Sequence, residues 1–391
     1  MKKTVMTFVL AGMVGFSALA QDDLINSLKG NQSLTAKEGF QFTPVINLDR
    51  TSVKNQGSSG TCWSYSGNSF LESEMIREGK EPVDLAEIYT ARCTYIEKAK
   101  NYVRMHGNLG WGDGGALHDV VNMYDQYGAL PQEVYNGLNY GTDINRFGEM
   151  QSALKGMLDG IIKNKNGQLT PNWIKAFTAV LDSYLGEVPE TFEYKGKTYT
   201  PKTFADEYIG LKADDYLELS CIPNEPMYEK VFFPVPDNWS FDYTYNVHMD
   251  DLTAVIDNAL KNGYTVGWAT DVSEKSFSWK NGVAYVPEMD YKYMTSEEKE
   301  TMFNGPKPEA EVTEAMRQEA FDNYTTTDDH GMQIVGLAKD QLGKEYYIVK
   351  NSWGASNDYN GYLFVTKNFV KYKSTAILVN KNAIPKKIYK G

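Results

Sequence analysis

The chain has 391 residues, 42% apolar and 23% charged, enough for a large core in one domain or two lobes, and this composition excludes disordered, collagen-like and coiled-coil classes. A formal net charge of −12 makes nucleic acid and anionic membranes poor partners. Three cysteines, Cys62, Cys93 and Cys221, are too few for a disulfide framework; a Cys93–Cys221 pair would leave Cys62 as the odd thiol.

Met1 to Ala20 carries a Met-Lys-Lys start, an apolar run from Thr4 to Leu19 and the small-residue site Ala18-Leu19-Ala20. That pattern is a secretory signal peptide cleaved after Ala20, so an exported, periplasmic or extracellular protein is expected. The run is short for a membrane span, no other stretch reaches that length, and no cysteine follows the cleavage site to take a lipid anchor. Without Lys2 and Lys3 the net charge becomes −14. Gln21 to Leu48 reads as a polar arm laid over the body.

The segment Asn55-Gln56-Gly57-Ser58-Ser59-Gly60-Thr61-Cys62-Trp63 runs a glycine- and serine-rich loop into a helical pattern expected from Cys62 to about Arg77, with Thr61 as N-cap and Gly79 as stop. A thiol at a helix N-terminus gains from the positive end of the macrodipole, the setting for a nucleophile. A second helix is expected from Leu85 to about Ala99, capped by Asp84. The glycine-dense stretch Gly107 to Gly115 lacks the ending of a phosphate loop and suits close approach of another backbone, followed by a helix from Ala116 to Tyr127.

From Asn139 to Tyr245 the chain reads as mostly helical and polar, with Trp173, Phe177, Val180, Leu181 and Tyr184 as a core stripe and a hairpin turning at Lys195-Gly196. A helix from Asp250 to Asn262, capped by Asp250 or Asp251, leads to a strand at Tyr264 to Asp271; a charged helical excursion spans Ser296 to Phe321. Strands are then expected at Met332–Leu337, Glu345–Lys350, Gly361–Thr366 and Thr375–Val379. Helices first and antiparallel strands second give an α+β class.

Of the four histidines, His330 sits where the acidic loop Thr325 to Asp329 meets an apolar strand, well placed as a base. His106, His118 and His248 show no metal spacing and read as structural or solvated; no cofactor or metal motif is present. Asn351, ending the next strand, is positioned to orient the imidazole, and Trp353 to shield that bond.

In order, Gln56, Cys62-Trp63, Asp329-His330-Gly331 and Asn351-Ser352-Trp353-Gly354 resemble the papain-like cysteine peptidases. Two departures are similar to the bleomycin hydrolase and aminopeptidase C branch. Ser59 replaces the first signature cysteine, and 268 residues separate Cys62 from His330, against roughly 130–150 in the usual pattern. The resemblance implies a two-lobed fold: a helical lobe over about 50–138, an inserted helical segment over 139–245 and a β-rich, barrel-like lobe over 246–391.

It further implies Cys62 as nucleophile, His330 as base, Asn351 as orienter and Gln56 in an oxyanion hole, with Gly114, Gly115, Asp329 and Trp353 lining a peptide-binding cleft. Exopeptidase action in that branch is attributed to a C-terminal arm in the cleft, whereas Asn380 to Gly391 form a short tail that does not match it, leaving aminopeptidase and endopeptidase modes open. Homo-oligomers also occur in the branch, with contacts expected in the inserted segment. The other readings are a catalytically silent binding fold and a non-peptide amidase or acyltransferase with the same triad.

Overall fold

The computed structural model describes residues 39–165 and 167–390, so the signal peptide expected over Met1 to Ala20 and most of the expected polar arm lie outside the described residues. After strand β1 (Phe42–Asn47) come five helices, α1 (Cys62–Arg77), α2 (Glu87–Arg104), α3 (Leu117–Tyr127), α4 (Gly148–Ile162) and α5 (Asn172–Leu185). Every residue of α1 from Cys62 to Met75 is buried, because this helix lies between the other helices and the sheet. Such a position demands small side chains: a Cβ on Gly67 would stand 2.5 Å from Val120 Cγ2 and push α1 off α3. The polar residues of α1 remain satisfied inside, with Ser64 Oγ donating to Glu87 O (2.7 Å) and Asn68 Nδ2 to Ser64 O (2.9 Å).

Two expected caps are corrected. Thr61 does precede α1, but its hydroxyl pairs with Ser59 Oγ (2.6 Å) and makes no cap bond. Helix α2 starts at Glu87 rather than Leu85, because Asp84 joins Glu72 and Glu87 around the Lys54 ammonium instead of capping. Gly128, at φ +79°, ends α3 as expected.

The segment from Asn139 to Tyr245 is helical only over α4 and α5 in its long elements. The hairpin β2 (Phe192–Tyr194) and β3 (Lys197–Tyr199) turns at Lys195-Gly196, and then β4 (Tyr216–Ser220), β5 (Lys230–Phe232) and β6 (Tyr243–Asn246) join the main sheet. Strands of three to five residues are too short to print an alternation that competes with helical spacing.

Helix α6 (Met249–Lys261) has His248 at its N-cap position, leaving Asp250 and Asp251 in the first turn, where the macrodipole favours them. It feeds β7 (Val266–Thr270), β8 (Phe277–Ser278) and β9 (Val283–Ala284). The charged excursion is helical only over Ser296–Glu300 and Glu314–Asp322. Then come β10 (His330–Asp340), β11 (Glu345–Lys350), β12 (Tyr362–Thr366) and β13 (Ser374–Asn380). Eleven of the described strands form one sheet in the order β5-β6-β4-β13-β7-β10-β11-β12-β9-β8, with β1 on β10; the β4–β6 and β9–β12 joints are parallel. The long strand β10 thus carries His330 at its start and packs against α1, which carries Cys62.

One apolar cluster fills the helical lobe around Phe70, Tyr95 and Phe177, and a second lies on the sheet around Trp268, Ile334 and Val349, giving the expected α+β, two-lobed arrangement. Between β5 and β6 the chain crosses to the helical lobe as a strap whose Phe233, Val235 and Trp239 join the first cluster. The C-terminal residues instead fold onto the β-rich lobe: Ile384 and Ile388 enter the second cluster, Tyr245 Oη donates to Ile388 O (3.1 Å), and Asn258 Nδ2 donates to Ala383 O (2.8 Å). No helix among the described residues is long and apolar enough to cross a membrane.

Candidate active site

Cys62 opens α1 at the end of a loop that its own hydroxyl and amide groups hold in shape. Ser59 Oγ donates to Gln56 O (2.7 Å), Gly60 N donates to Asp113 Oδ2 (2.9 Å) and Trp63 Nε1 donates to Asp113 O (3.0 Å). Ser59, standing where a disulfide-forming cysteine is usual, therefore ties the loop by hydrogen bonds. No disulfide joins Cys93 to Cys221, and both are buried thiols.

Gln56 is buried and bridges the lobes. Its Nε2 donates to Ser59 O (2.6 Å), Ser352 Oγ donates to its Oε1 (2.7 Å) and its backbone N donates to Ser352 O (2.8 Å). Ser59 O engages one of the two Nε2 hydrogens, so the amide keeps a second donor.

His330 is fixed by the strand register opposite Thr270 of β7. Its Nε2 donates to Asn351 Oδ1 at 2.7 Å, and that oxygen also accepts the Ser352 backbone N–H (2.7 Å). With Nε2 committed to the amide, Nδ1 is the nitrogen able to accept a proton from the thiol. Trp353, 2% exposed, lies over the imidazole with ring centroids 4.5 Å apart, and Trp279 backs it at 5.2 Å. Asn351 and Trp353 thus both touch the imidazole, one at its edge and one over its face.

Cys62 and His330 line the same cavity, together with Trp63, Gly114, Gly115 and Asp329. Its volume is ≈ 10 Å³, about what a single water needs. Burial pushes the Cys62 thiol up to about 12; backbone hydrogen bonds from Gly331 and Trp63 oppose this, while Asp237 and Asp328 add to it. Burial thus opposes an isolated thiolate, and the His330 imidazole lining the same cavity is the group that can hold the proton beside it.

Of the site residues expected from the sequence, Cys62, Gly114, Gly115, Asp329 and His330 line this cavity, while Asn351 and Trp353 sit behind His330 and Gln56 lies outside the lining; the glycines do not leave the cavity open. A Cβ on Gly115 would meet Trp63 Cε2 at 2.8 Å, and one on Gly114 would collide with the Asp237 carboxylate. Lys98, buried beneath, donates to Gly112 O (3.2 Å) and Gly114 O (2.8 Å) and fixes the segment. Asp329 accepts from Thr327 Oγ1 (2.6 Å), and burial pushes it up to about 6.

Sequence reasoning missed Glu218, Phe233, Asp237 and Asp328, which complete the wall. Only Asp237-Asn238-Trp239 after Pro234 and Pro236 offered a trace, a large aromatic beside an acid in a proline-bounded loop.

Residues 101–391 match the model of the Peptidase C1-like family. The chain is 23% identical over 429 residues to Cysteine proteinase 1, mitochondrial, of Saccharomyces cerevisiae, covering 98% of this chain and 85% of that protein. It is 24% identical over 421 residues to Aminopeptidase C of Lactococcus lactis subsp. cremoris, covering 94% and 88% respectively. Among solved structures, PepW of Lactobacillus rhamnosis matches with a TM-score of 0.69 at 18% identity over 89% of this chain and 84% of that one, a likeness of fold. The chain belongs to the Peptidase C1-like family, as a papain-like cysteine peptidase of the bleomycin hydrolase and aminopeptidase C branch.

Proposed function

We propose that this protein is an exported cysteine peptidase that hydrolyses peptides through Cys62, His330 and Asn351, in an aminopeptidase-like mode. The observation that carries the reading is the 2.7 Å bond from His330 Nε2 to Asn351 Oδ1 beside a cavity that His330 shares with Cys62. In the first step His330 Nδ1 takes the thiol proton as Cys62 Sγ bonds to the scissile carbonyl carbon. The oxyanion is met by the Cys62 backbone N–H and the second Gln56 Nε2 hydrogen, donors worth about 2.7–4 kcal/mol each. The carbon–nitrogen bond then breaks as His330 protonates the leaving amine, giving a thioester. Water attacks that thioester while His330 accepts its proton, and the Cys62 sulfur departs.

The aminopeptidase-like mode is supported by the strap, whose Asp237 closes the cleft over Gly114, and by the name of the Lactococcus lactis relative. An endopeptidase needs a cleft open on both sides of the thiol. The described C-terminal residues do not line the cavity; Ile384 and Ile388 pack into the cluster on the sheet. Export rests on the leader pattern of Met1 to Ala20.

A thiol-directed epoxide should label wild type and not Cys62→Ala, and free-amine peptides should be cut one residue at a time. Labelling that persists without Cys62, or cleavage of amine-blocked peptides alone, refutes the reading. N-terminal sequencing of the secreted protein should begin at Gln21.

A further inference from the structure

The wall of the Cys62 cavity is unusually acidic. Glu218, Asp237, Asp328 and Asp329 all line it, while the nearby cations are already engaged: Lys98 by two glycine carbonyls and His118 by Glu218, whose Oε2 lies 2.5 Å from the ring Nδ1. Glu218 is 5% exposed, and its second oxygen, Oε1, finds no hydrogen-bond donor among the described residues. Glu218 is buried and the three aspartates are half-buried; carboxylates gathered in this way repel one another, and a cation placed among them relieves the repulsion.

Asp237 differs from the other three in how it is held. Its backbone belongs to a strap anchored on both sides. Asn238 Nδ2 donates to Phe233 O (2.8 Å) and Asp242 O (2.9 Å), and Trp239 Nε1 donates to Asp119 Oδ2 (2.9 Å). Its carboxylate is held by charge rather than by a geometric bond, the buried Lys98 ammonium being the cation that acts on it. It rests on the Cα of Gly114, a place that exists only because residue 114 has no side chain. A turn about χ1 therefore clears the slot over Gly114 without breaking a bond, and leaves a charged group at the closed end of the cleft.

We propose that Asp237 is the specificity-determining residue of this site: its carboxylate receives the substrate's ammonium group, the free α-amine of a peptide N-terminus, with Glu218 completing the acidic wall. The assignment rests on Cys62 being the nucleophile. It makes the strap, an internal segment, the structure that measures one residue from the chain end. An ammonium could equally come from a lysine side chain before the scissile bond, and substrate choice separates the two sources.

The test compares wild type with Asp237→Asn, which keeps the shape and removes the charge, on three amide substrates: one with a free α-amine, its des-amino analogue, and an N-acetylated peptide with lysine before the scissile bond. Asp237→Asn should raise KM for the free-amine substrate at least about 30-fold with kcat changed less than about threefold, and should turn over the des-amino analogue as wild type does. Equal losses on the free-amine and des-amino substrates overturn the proposal, as does a loss confined to the acetylated lysine peptide. A rise in activity on all three also overturns it, marking the strap as a plug. Iodoacetamide alkylation of Cys62 serves as the control. Alkylation of Asp237→Asn at or above the wild-type rate shows an intact site, since removing the charge eases the thiolate, whereas no alkylation in wild type would sink the nucleophile assignment instead.

Discussion

His118 offers a stability test that needs no substrate. Its Nδ1 lies 2.5 Å from Glu218 Oε2, and its Nε2 lies 3.8 Å from Asp119 Oδ1 and 3.5 Å from Asp242 Oδ2. Burial lowers its pKa, but the three carboxylates outweigh burial and hold the imidazolium up to about 10, against an ordinary 6.5. A folded-state value above the unfolded one means that the stabilisation is fully present below about pH 6.5 and is lost as pH rises to about 10. At 1.36 kcal/mol per unit the full shift would be on the order of 5 kcal/mol. Asp119 is itself pushed up to about 6 by burial, and Asp242 is 42% exposed, so about half of that is the expected share. Urea unfolding between pH 6.5 and 10 should therefore show wild type losing about 2–3 kcal/mol more than His118→Gln. Parallel curves for the two proteins would refute the ion-pair assignment.

Other outcomes follow from single contacts. Asn351→Ala removes the 2.7 Å bond to His330 and should lower kcat/KM about 10–100-fold while leaving Cys62 in place, read from steady-state kinetics. Gln333→Ala strips partners from Ser69, Ser73 and Thr265 in the seam between α1 and the sheet, and should cost about 1–3 kcal/mol in urea unfolding. Gly57 has φ +64°, and a Cβ there would meet Asn145 O at 2.6 Å, so Gly57→Ala should destabilise by about 1–3 kcal/mol and, by shifting Gln56, lower kcat more than it raises KM.

The Cys62, His330 and Asn351 half of the candidate site was legible because each of its residues sits in a short local pattern: a glycine-rich loop running into Cys62, an acid-then-apolar switch at His330, an amide and a tryptophan at the end of β11. Strand β10 was placed but shortened, since its first residues, His330 and Gly331, do not look like strand formers until β7 pairs with them. The acidic wall was not legible. Asp237 and Glu218 reach the cavity through contacts across more than a hundred residues of chain, and β5, which leads into the strap, spans only three residues, its Phe232 44% exposed. The cap at Asp84 was missed for a like reason: Asp84 is a good cap by type, but Lys54, thirty residues upstream, claims it, whereas Thr61 is taken locally by Ser59.

The strap's place in the chain bears on how the protein comes into being. Cys62 is made first, residues 232–242 later, and His330 later still. Because Phe233, Val235 and Trp239 dock into the same apolar cluster as α1 to α3, the reactive sulfur's lobe can acquire its cover before the imidazole that activates it has been synthesised. On the proposed assignment of Cys62 and His330, the covered thiol has no base until synthesis has passed residue 330.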